Sequence, residues 1–102
     1  MSSIIYLADI ENIRYPNIHD GIVYCINGYW SNYGINKENY VNIDFKHNGC
    51  SDAADCILDT ILGFLVVKYG FNYRYRIISC DHGFDDTASF YKNMGYDVER
   101  ID

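Results

Sequence analysis

The loop SCDHGFD at residues 79–85 constrains the fold more than any other part of this sequence. It follows an apolar segment that predicts a β-strand, and it precedes a segment that predicts an α-helix. Its two acidic residues, Asp81 and Asp85, are therefore expected where a strand ends and a helix begins. Open α/β sheets bind their ligands in the crevice beyond the carboxyl ends of the strands. The loop thus favours an α/β fold with a functional site at that edge of the sheet.

Strand patterns recur along the whole chain, and helix patterns separate the last three of them. Predicted strands cover residues 4–8, 21–26, 41–45, 75–80 and 97–101, and predicted helices cover residues 52–69 and 85–94. The alternation predicts an α/β fold with a mainly parallel central sheet of about five strands. A strand order of 3-2-1-4-5 would set Asp9 and Asp81 side by side where the order reverses. From Ile57 onward the first helix is apolar on nearly every side, so we expect it to be deeply covered.

Composition and charge argue against several classes of protein. With 102 residues, of which 49% are hydrophobic and 22% charged, the chain is expected to form one compact domain, residues 1–102. A net charge of -6 disfavours a module that binds nucleic acid by charge alone, although bound divalent ions reverse the local sign around an acidic cluster. The four cysteines lack metal-binding spacing and predict free thiols in a reducing, cytoplasmic compartment. No segment is long enough to span a membrane, so no membrane contact is expected.

Four aspartates from separated segments are expected to meet at one end of the sheet. They are Asp9, Asp55, Asp81 and Asp85. Clustered carboxylates raise each other's pKa, and a hard cation with oxygen ligands, Mg²⁺ or Mn²⁺, removes that penalty. Such an ion can activate water and hold a phosphate oxygen. The cluster therefore predicts metal-dependent hydrolysis of a phosphodiester.

Simpler roles stay open for several polar residues. Asp85 is also a candidate helix cap, and Asp52 is a candidate helix-start acid that interacts with the helix dipole. Asp59, among apolar residues one turn further along, is either a supporting acid of the site or a residue at the edge of the buried face. Lys46 and Trp30 are candidates for substrate binding, as a phosphate-binding cation and a base-stacking ring. A solvated lysine and simple packing are their alternatives.

Several motifs, taken in order along the chain, resemble the PIN-like nuclease family, close to its NYN branch. They are IYLADIEN at residues 5–12, DAAD at residues 52–55, SCDHGFD at residues 79–85 and the tail GYDVERI at residues 95–101. The resemblance implies a three-layer PIN-like (Rossmann-like) domain and a metal-dependent endoribonuclease. By motif position it assigns catalysis and metal binding to Asp9, Asp55, Asp81 and Asp85, and supporting roles to Asn12 and Ser79. Related domains commonly process RNA or act as toxin-like nucleases, and many form dimers, so RNA and a second copy are the expected partners.

A second function stays open because the region between Asn12 and Val41 is shorter than in PIN-like domains. A catalytically inactive PIN-like module that binds a protein partner or RNA would have the same fold. A phosphatase or phosphoacceptor domain is a third alternative. It is weaker, because such enzymes need Asp-x-Asp after the first strand and this chain has Asp9-Ile10-Glu11 there. The segment YRYR at residues 73–76 interleaves aromatic and basic side chains. We expect it at the edge or surface of the sheet, at the end away from the acids.

Overall fold

Five strands and two α-helices make up the described part of the chain. The computed structural model describes residues 3–10, 17–27, 38–45 and 53–102. The elements are β1 (Ser3–Asp9), β2 (Ile22–Asn27), β3 (Tyr40–Asp44), α1 (Ala53–Tyr69), a short 3-10 helix (Gly70–Asn72), β4 (Tyr73–Ile78), α2 (Phe84–Lys92) and β5 (Asp97–Ile101). All neighbouring strands pair in parallel, and their order is β3-β2-β1-β4-β5. The predicted α/β class and strand order are confirmed.

The strand order reverses between β1 and β4. The chain passes outward from β1 through β2 to β3, and it then returns to β4 on the other side of β1. In the pairing register Ala8 lies opposite Ile78, so Asp9 and Ser79 follow as neighbours at the carboxyl edge. A doubly wound sheet opens a crevice at this reversal. The loop at residues 79–85 therefore starts at the crevice.

The main hydrophobic core lies between the sheet and the two helices. Alternate residues of β1, Ile5 and Leu7, point to this side, where they belong to one cluster with Leu58 and Leu62 of α1. All four side chains are fully buried. Complete burial of such a side chain contributes about 1.5–3 kcal/mol. Ala88 of α2 lies in the same cluster, so both helices cover the same face of the sheet.

The opposite face of the sheet carries a second, smaller hydrophobic cluster. Its buried members are Ala8, Val23, Cys25, Tyr40 and Ile78, with Ile18 packed against them. The backbone N–H of Ile18 donates a hydrogen bond to the Tyr40 hydroxyl at 2.9 Å, which ties the residues before β2 to this face. Ile18, shortly before β2, therefore lies on the side of the sheet away from α1 and α2. This second cluster is the inner surface of a third layer.

The outer side of α1 is exposed. Phe64 and Val67 keep 62% and 83% of their surface in solvent. The prediction of a deeply covered helix is therefore wrong, because α1 packs on the sheet through one stripe only and no other described element covers its outer side. None of the described helices combines the length and apolar character that a membrane-spanning helix needs.

β4 is an inner strand between β1 and β5, so the YRYR segment does not lie at an edge of the sheet, although its Arg74 is exposed, as the surface alternative predicts. Tyr75 is fully buried, and its hydroxyl donates a hydrogen bond to the Gly70 carbonyl at 2.8 Å. Burial raises the pKa of Tyr75 to about 12. Arg76 points to the other face and forms an ion pair with Asp97 at 2.9 Å. The segment does begin β4, at the end of the strand away from Asp81, as predicted.

Candidate active site at the carboxyl edge of β1 and β4

Asp9 is a fully buried carboxylate at the end of β1. The Ser79 hydroxyl, itself fully buried, donates a hydrogen bond to Asp9 Oδ2 at 3.1 Å. A carboxylate inside a protein is costly unless donors or a cation stabilise its charge. The parallel pairing of β1 with β4 brings this donor to Asp9 from a distant part of the chain.

Ser79 also connects Asp9 to Asp81. The Ser79 oxygen accepts a hydrogen bond from the backbone N–H of Asp81 at 3.0 Å. The Asp81 carboxylate then accepts one from the backbone N–H of Gly83 at 2.8 Å, which closes a tight turn into α2. A Cβ on residue 83 would stand 3.1 Å from Asp81 Oδ1, so glycine leaves room for this carboxylate. The structure thus brings Asp9, Ser79 and Asp81 together.

Asp85 lies in the first turn of α2 with a half-exposed side chain. Gly83 occupies the N-cap position, so the alternative of Asp85 as the helix cap is wrong. Arg100 Nε donates a hydrogen bond to Asp85 Oδ1 at 2.7 Å, and His82 Nδ1 lies 3.1 Å from Oδ2. The Arg100 hydrogen bond, followed by that of His82, holds the pKa of the Asp85 carboxyl below its ordinary value. Asp85 is therefore held by a cationic partner of this chain.

Arg100 is a residue of this site that sequence reasoning missed. Its side chain is 10% exposed, and its Nη1 donates a hydrogen bond to the Ser79 carbonyl at 2.9 Å. Arg100 therefore links β5 both to Asp85 and to the residue that bridges the other two acids. Its pairing partner in β4 is Ile77, close to the end of that strand. The only available signal was a lone arginine near the end of the last predicted strand, the strand next to the acidic loop.

The two acids of α1 lie in different surroundings. Asp55 is in the first turn of α1 and is partly buried. Asp59, one turn further, accepts a hydrogen bond from the Thr87 hydroxyl at 3.3 Å, and burial raises the pKa of its carboxyl. A pocket of about 340 Å³ between the helices is lined by Asp59, Asp86, Thr87, Phe90 and Tyr91. Asp59 therefore hydrogen-bonds Thr87 of α2, which does not belong to the group formed by Asp9, Ser79 and Asp81.

Within residues 3–10, 17–27, 38–45 and 53–102, no three His, Cys, Asp or Glu side chains are grouped closely enough to hold a metal ion. Asp9 and Asp81 are the pair that these residues bring together through Ser79. The predicted residues Asn12, Trp30 and Lys46 lie outside the described residues.

No protein-family model matches the chain, and no curated protein or solved structure matches it either. The resemblance to PIN-like nucleases therefore stays a prediction from the sequence motifs. The arguments for function that follow depend on the geometry of the described residues together with those motifs.

Proposed function

We propose that this chain is a divalent-metal-dependent endoribonuclease that hydrolyses RNA phosphodiester bonds at the carboxyl edge of β1 and β4. The observation that carries the proposal is the Ser79 hydroxyl, which hydrogen-bonds Asp9 on one side and the backbone of Asp81 on the other. Two acids from different segments are thereby held at the strand-order reversal, where α/β sheets bind ligands. RNA as the substrate comes from the motif resemblance.

The donor set fits Mg²⁺ or Mn²⁺. Mg²⁺ commonly binds through one or two carboxylates and completes its coordination with water and substrate phosphate, and Mn²⁺ accepts the same ligands. Asp9 and Asp81 supply carboxylate oxygens of that kind, and the motif resemblance adds Asp55. Asp85 is paired with Arg100, whose guanidinium group already neutralises the charge of this carboxylate. We therefore assign metal binding first to Asp9 and Asp81, and we assign Asp85 to binding Arg100.

The residues of this chain have distinct tasks in the proposed reaction. When bound, the metal ion supplies an activated water and charge stabilisation at the phosphate. Ser79 fixes the orientation of the Asp9 carboxylate, while the turn closed at Gly83 fixes that of Asp81. Arg100 holds the Ser79 carbonyl and Asp85, so the loop into α2 keeps its shape when RNA approaches.

A cleavage assay tests the proposal. Single-stranded RNA is incubated with the wild-type chain in Mg²⁺ or Mn²⁺, with EDTA, and with an Asp81→Asn variant. We expect cleavage that stops with EDTA and falls by at least about 10–100-fold in Asp81→Asn, because a carboxylate held for the ion is lost. Asp20→Asn is the matched control, since Asp20 lies before β2 at the opposite edge of the sheet and bonds only the Tyr6 hydroxyl among the described residues. Cleavage that is equal in EDTA or in Asp81→Asn would refute the proposal.

The second candidate is an inactive module of the same fold that binds RNA or a protein partner. The pairing of Asp85 with Arg100 favours it, because one of the four predicted metal-binding acids is already neutralised within the chain. Binding of Mn²⁺ by the wild type without cleavage of any RNA would favour this candidate over the nuclease. We infer a reducing, cytoplasmic location for either function, since Cys25, Cys56 and Cys80 are free thiols.

A further inference from the structure

The pocket of about 340 Å³ between α1 and α2 lies outside the group of residues that Ser79 joins. We call it the interhelical pocket, and its walls are Asp59 of α1 together with Asp86, Thr87, Phe90 and Tyr91 of α2. Pockets for small molecules span about 300–1,000 Å³, so this one has the size that a small ligand needs. Its walls combine two carboxylates with two aromatic rings, so a ligand with both a polar and an apolar part fits it best.

Gly63 makes room for Tyr91 beside this pocket. It lies one turn after Asp59 on α1, and helix residues four apart share one face. A Cβ on residue 63 would stand 3.1 Å from the Tyr91 hydroxyl oxygen, so only glycine lets this hydroxyl come so close to α1 without a shift. Burial, followed by the charge of Asp59, raises the pKa of Tyr91. The Tyr91 hydroxyl therefore lies against α1 near the Asp59 carboxylate.

The two carboxylates of the pocket form no ion pair with any cation within residues 3–10, 17–27, 38–45 and 53–102. Asp59 accepts a hydrogen bond from the Thr87 hydroxyl at 3.3 Å, although a carboxylate has room for about four. Burial raises the pKa of the Asp59 carboxyl, so the groups around it do not fully stabilise its charge. A cation inside the interhelical pocket would supply this stabilisation.

We propose that the interhelical pocket binds a small protonated primary amine that carries an apolar group. The ammonium group donates hydrogen bonds to the Asp59 carboxylate, and its charge balances those of Asp59 and Asp86. The apolar group packs against Phe90 and Tyr91, whose ring centroids lie 5.2 Å apart with their planes at 82°. Aromatic rings also attract cations, so both kinds of wall favour the same ligand.

The same walls disfavour other classes of ligand. Two carboxylates repel an anion. Mg²⁺ needs a nearly octahedral set of oxygen ligands, whereas Phe90 gives this pocket an apolar wall, and no three acidic, His or Cys side chains of the described residues are grouped closely enough for a metal ion. A quaternary ammonium ion has no N–H and would leave the remaining acceptor capacity of Asp59 unused. The proposed amine site does not depend on nuclease activity, since none of its residues belongs to the group joined at Ser79.

Titration of the full ¹⁵N-labelled chain with benzylamine, followed by NMR at neutral pH, tests this site. The buffer contains EDTA, so no divalent ion occupies other carboxylates during the measurement. We expect saturable binding below about 10 mM, with the largest shifts at the backbone amides of Asp86, Thr87 and Phe90. Benzyl alcohol lacks the charge and benzyltrimethylammonium lacks the N–H donors, so each should bind at least about tenfold more weakly.

Two substitutions separate the polar part of the site from the apolar part. Asp59→Asn keeps the size of the side chain and removes its charge, so benzylamine should bind at least about tenfold more weakly. Phe90→Ala removes an exposed ring and should weaken binding about fivefold, while Asp20→Asn, the matched change of charge at the opposite edge of the sheet, should bind as the wild type does.

Several results would overturn the proposal. They are no saturable binding of benzylamine by the wild type, an affinity unchanged in Asp59→Asn or in Phe90→Ala, and equally tight binding of benzyl alcohol or benzyltrimethylammonium. Shifts that centre on Asp81 and Gly83 would overturn it too, because the amine would then bind at the carboxyl edge of β1 and β4.

Discussion

Replacing Ser79 with alanine removes the hydroxyl that hydrogen-bonds both the Asp9 carboxylate and the Asp81 backbone. The hydroxyl is fully buried, and it makes two hydrogen bonds, one to the Asp9 carboxylate at 3.1 Å and one from the Asp81 backbone at 3.0 Å. A hydrogen bond to a charged group contributes about 1.5–3 kcal/mol, and one between neutral groups about 0.5–1.5 kcal/mol. The variant leaves the Asp9 carboxylate in the interior without this donor. We therefore expect Ser79→Ala to lower the free energy of unfolding by about 2–4 kcal/mol.

Urea unfolding followed by circular dichroism measures this loss at neutral pH. Ser89→Ala is the control, because Ser89 is an exposed serine of α2 and its substitution should change the free energy of unfolding by less than about 0.5 kcal/mol. The affinity for Mn²⁺ should also fall in Ser79→Ala by roughly tenfold, since residues that orient metal ligands have effects of that size. If Ser79→Ala unfolds at the same urea concentration as Ser89→Ala, the hydroxyl does not hold the two acids together as the structure indicates.

Three further substitutions test the local physics. Arg100 lowers the pKa of Asp85, so the contribution of this pair is present above the ordinary aspartate pKa of about 4 and is lost as the pH falls through the lowered value. The stability difference between wild type and Asp85→Asn should thus be largest at neutral pH and disappear in acid; a constant difference would contradict the pairing. Burial raises the pKa of Asp59, so ionisation destabilises the fold as the pH rises through the raised value. Asp59→Asn should accordingly unfold at a higher urea concentration than the wild type at pH 7 and at the same urea concentration near pH 3, about one unit below the ordinary pKa; a gain that persists in acid would have another cause. Gly21 has φ +85° and a Cβ there would lie 2.2 Å from the Ile4 carbonyl oxygen, so Gly21→Ala should cost more than about 2 kcal/mol. Gly70→Ala, with φ +75° and nothing within 4 Å, should cost clearly less, and equal losses would show that the contact with Ile4 is not the cause.

The strand order could be predicted from the sequence because two local signals agreed. The apolar run before Asp9 and the one before Ser79 both read as buried parallel strands, and each is followed by polar residues at the same end. Parallel strands that both end in functional residues favour adjacent positions at the reversal of the sheet. The same reasoning predicted that Asp9 and Asp81 lie at one edge of the sheet. The two hydrogen bonds of Ser79 show them as neighbours there.

The pairing of Asp85 with Arg100 could not be predicted, because it depends on how far β5 slides along β4. A shift of the register by one residue would turn Arg100 to the other face of the sheet. The exposure of α1 was missed for a different reason. Hydrophobicity around the whole helix predicts burial, yet Phe64 and Val67 are exposed because no other described element reaches the outer side of α1.

Isothermal titration calorimetry of the chain with Mn²⁺ tests the proposed metal site most directly. We expect the wild type and Asp20→Asn to bind the ion with the same affinity, and Asp81→Asn to bind it at least about tenfold more weakly. Ion binding that is indifferent to Asp81→Asn, or no binding by the wild type, would contradict a metal site at the carboxyl edge of β1 and β4.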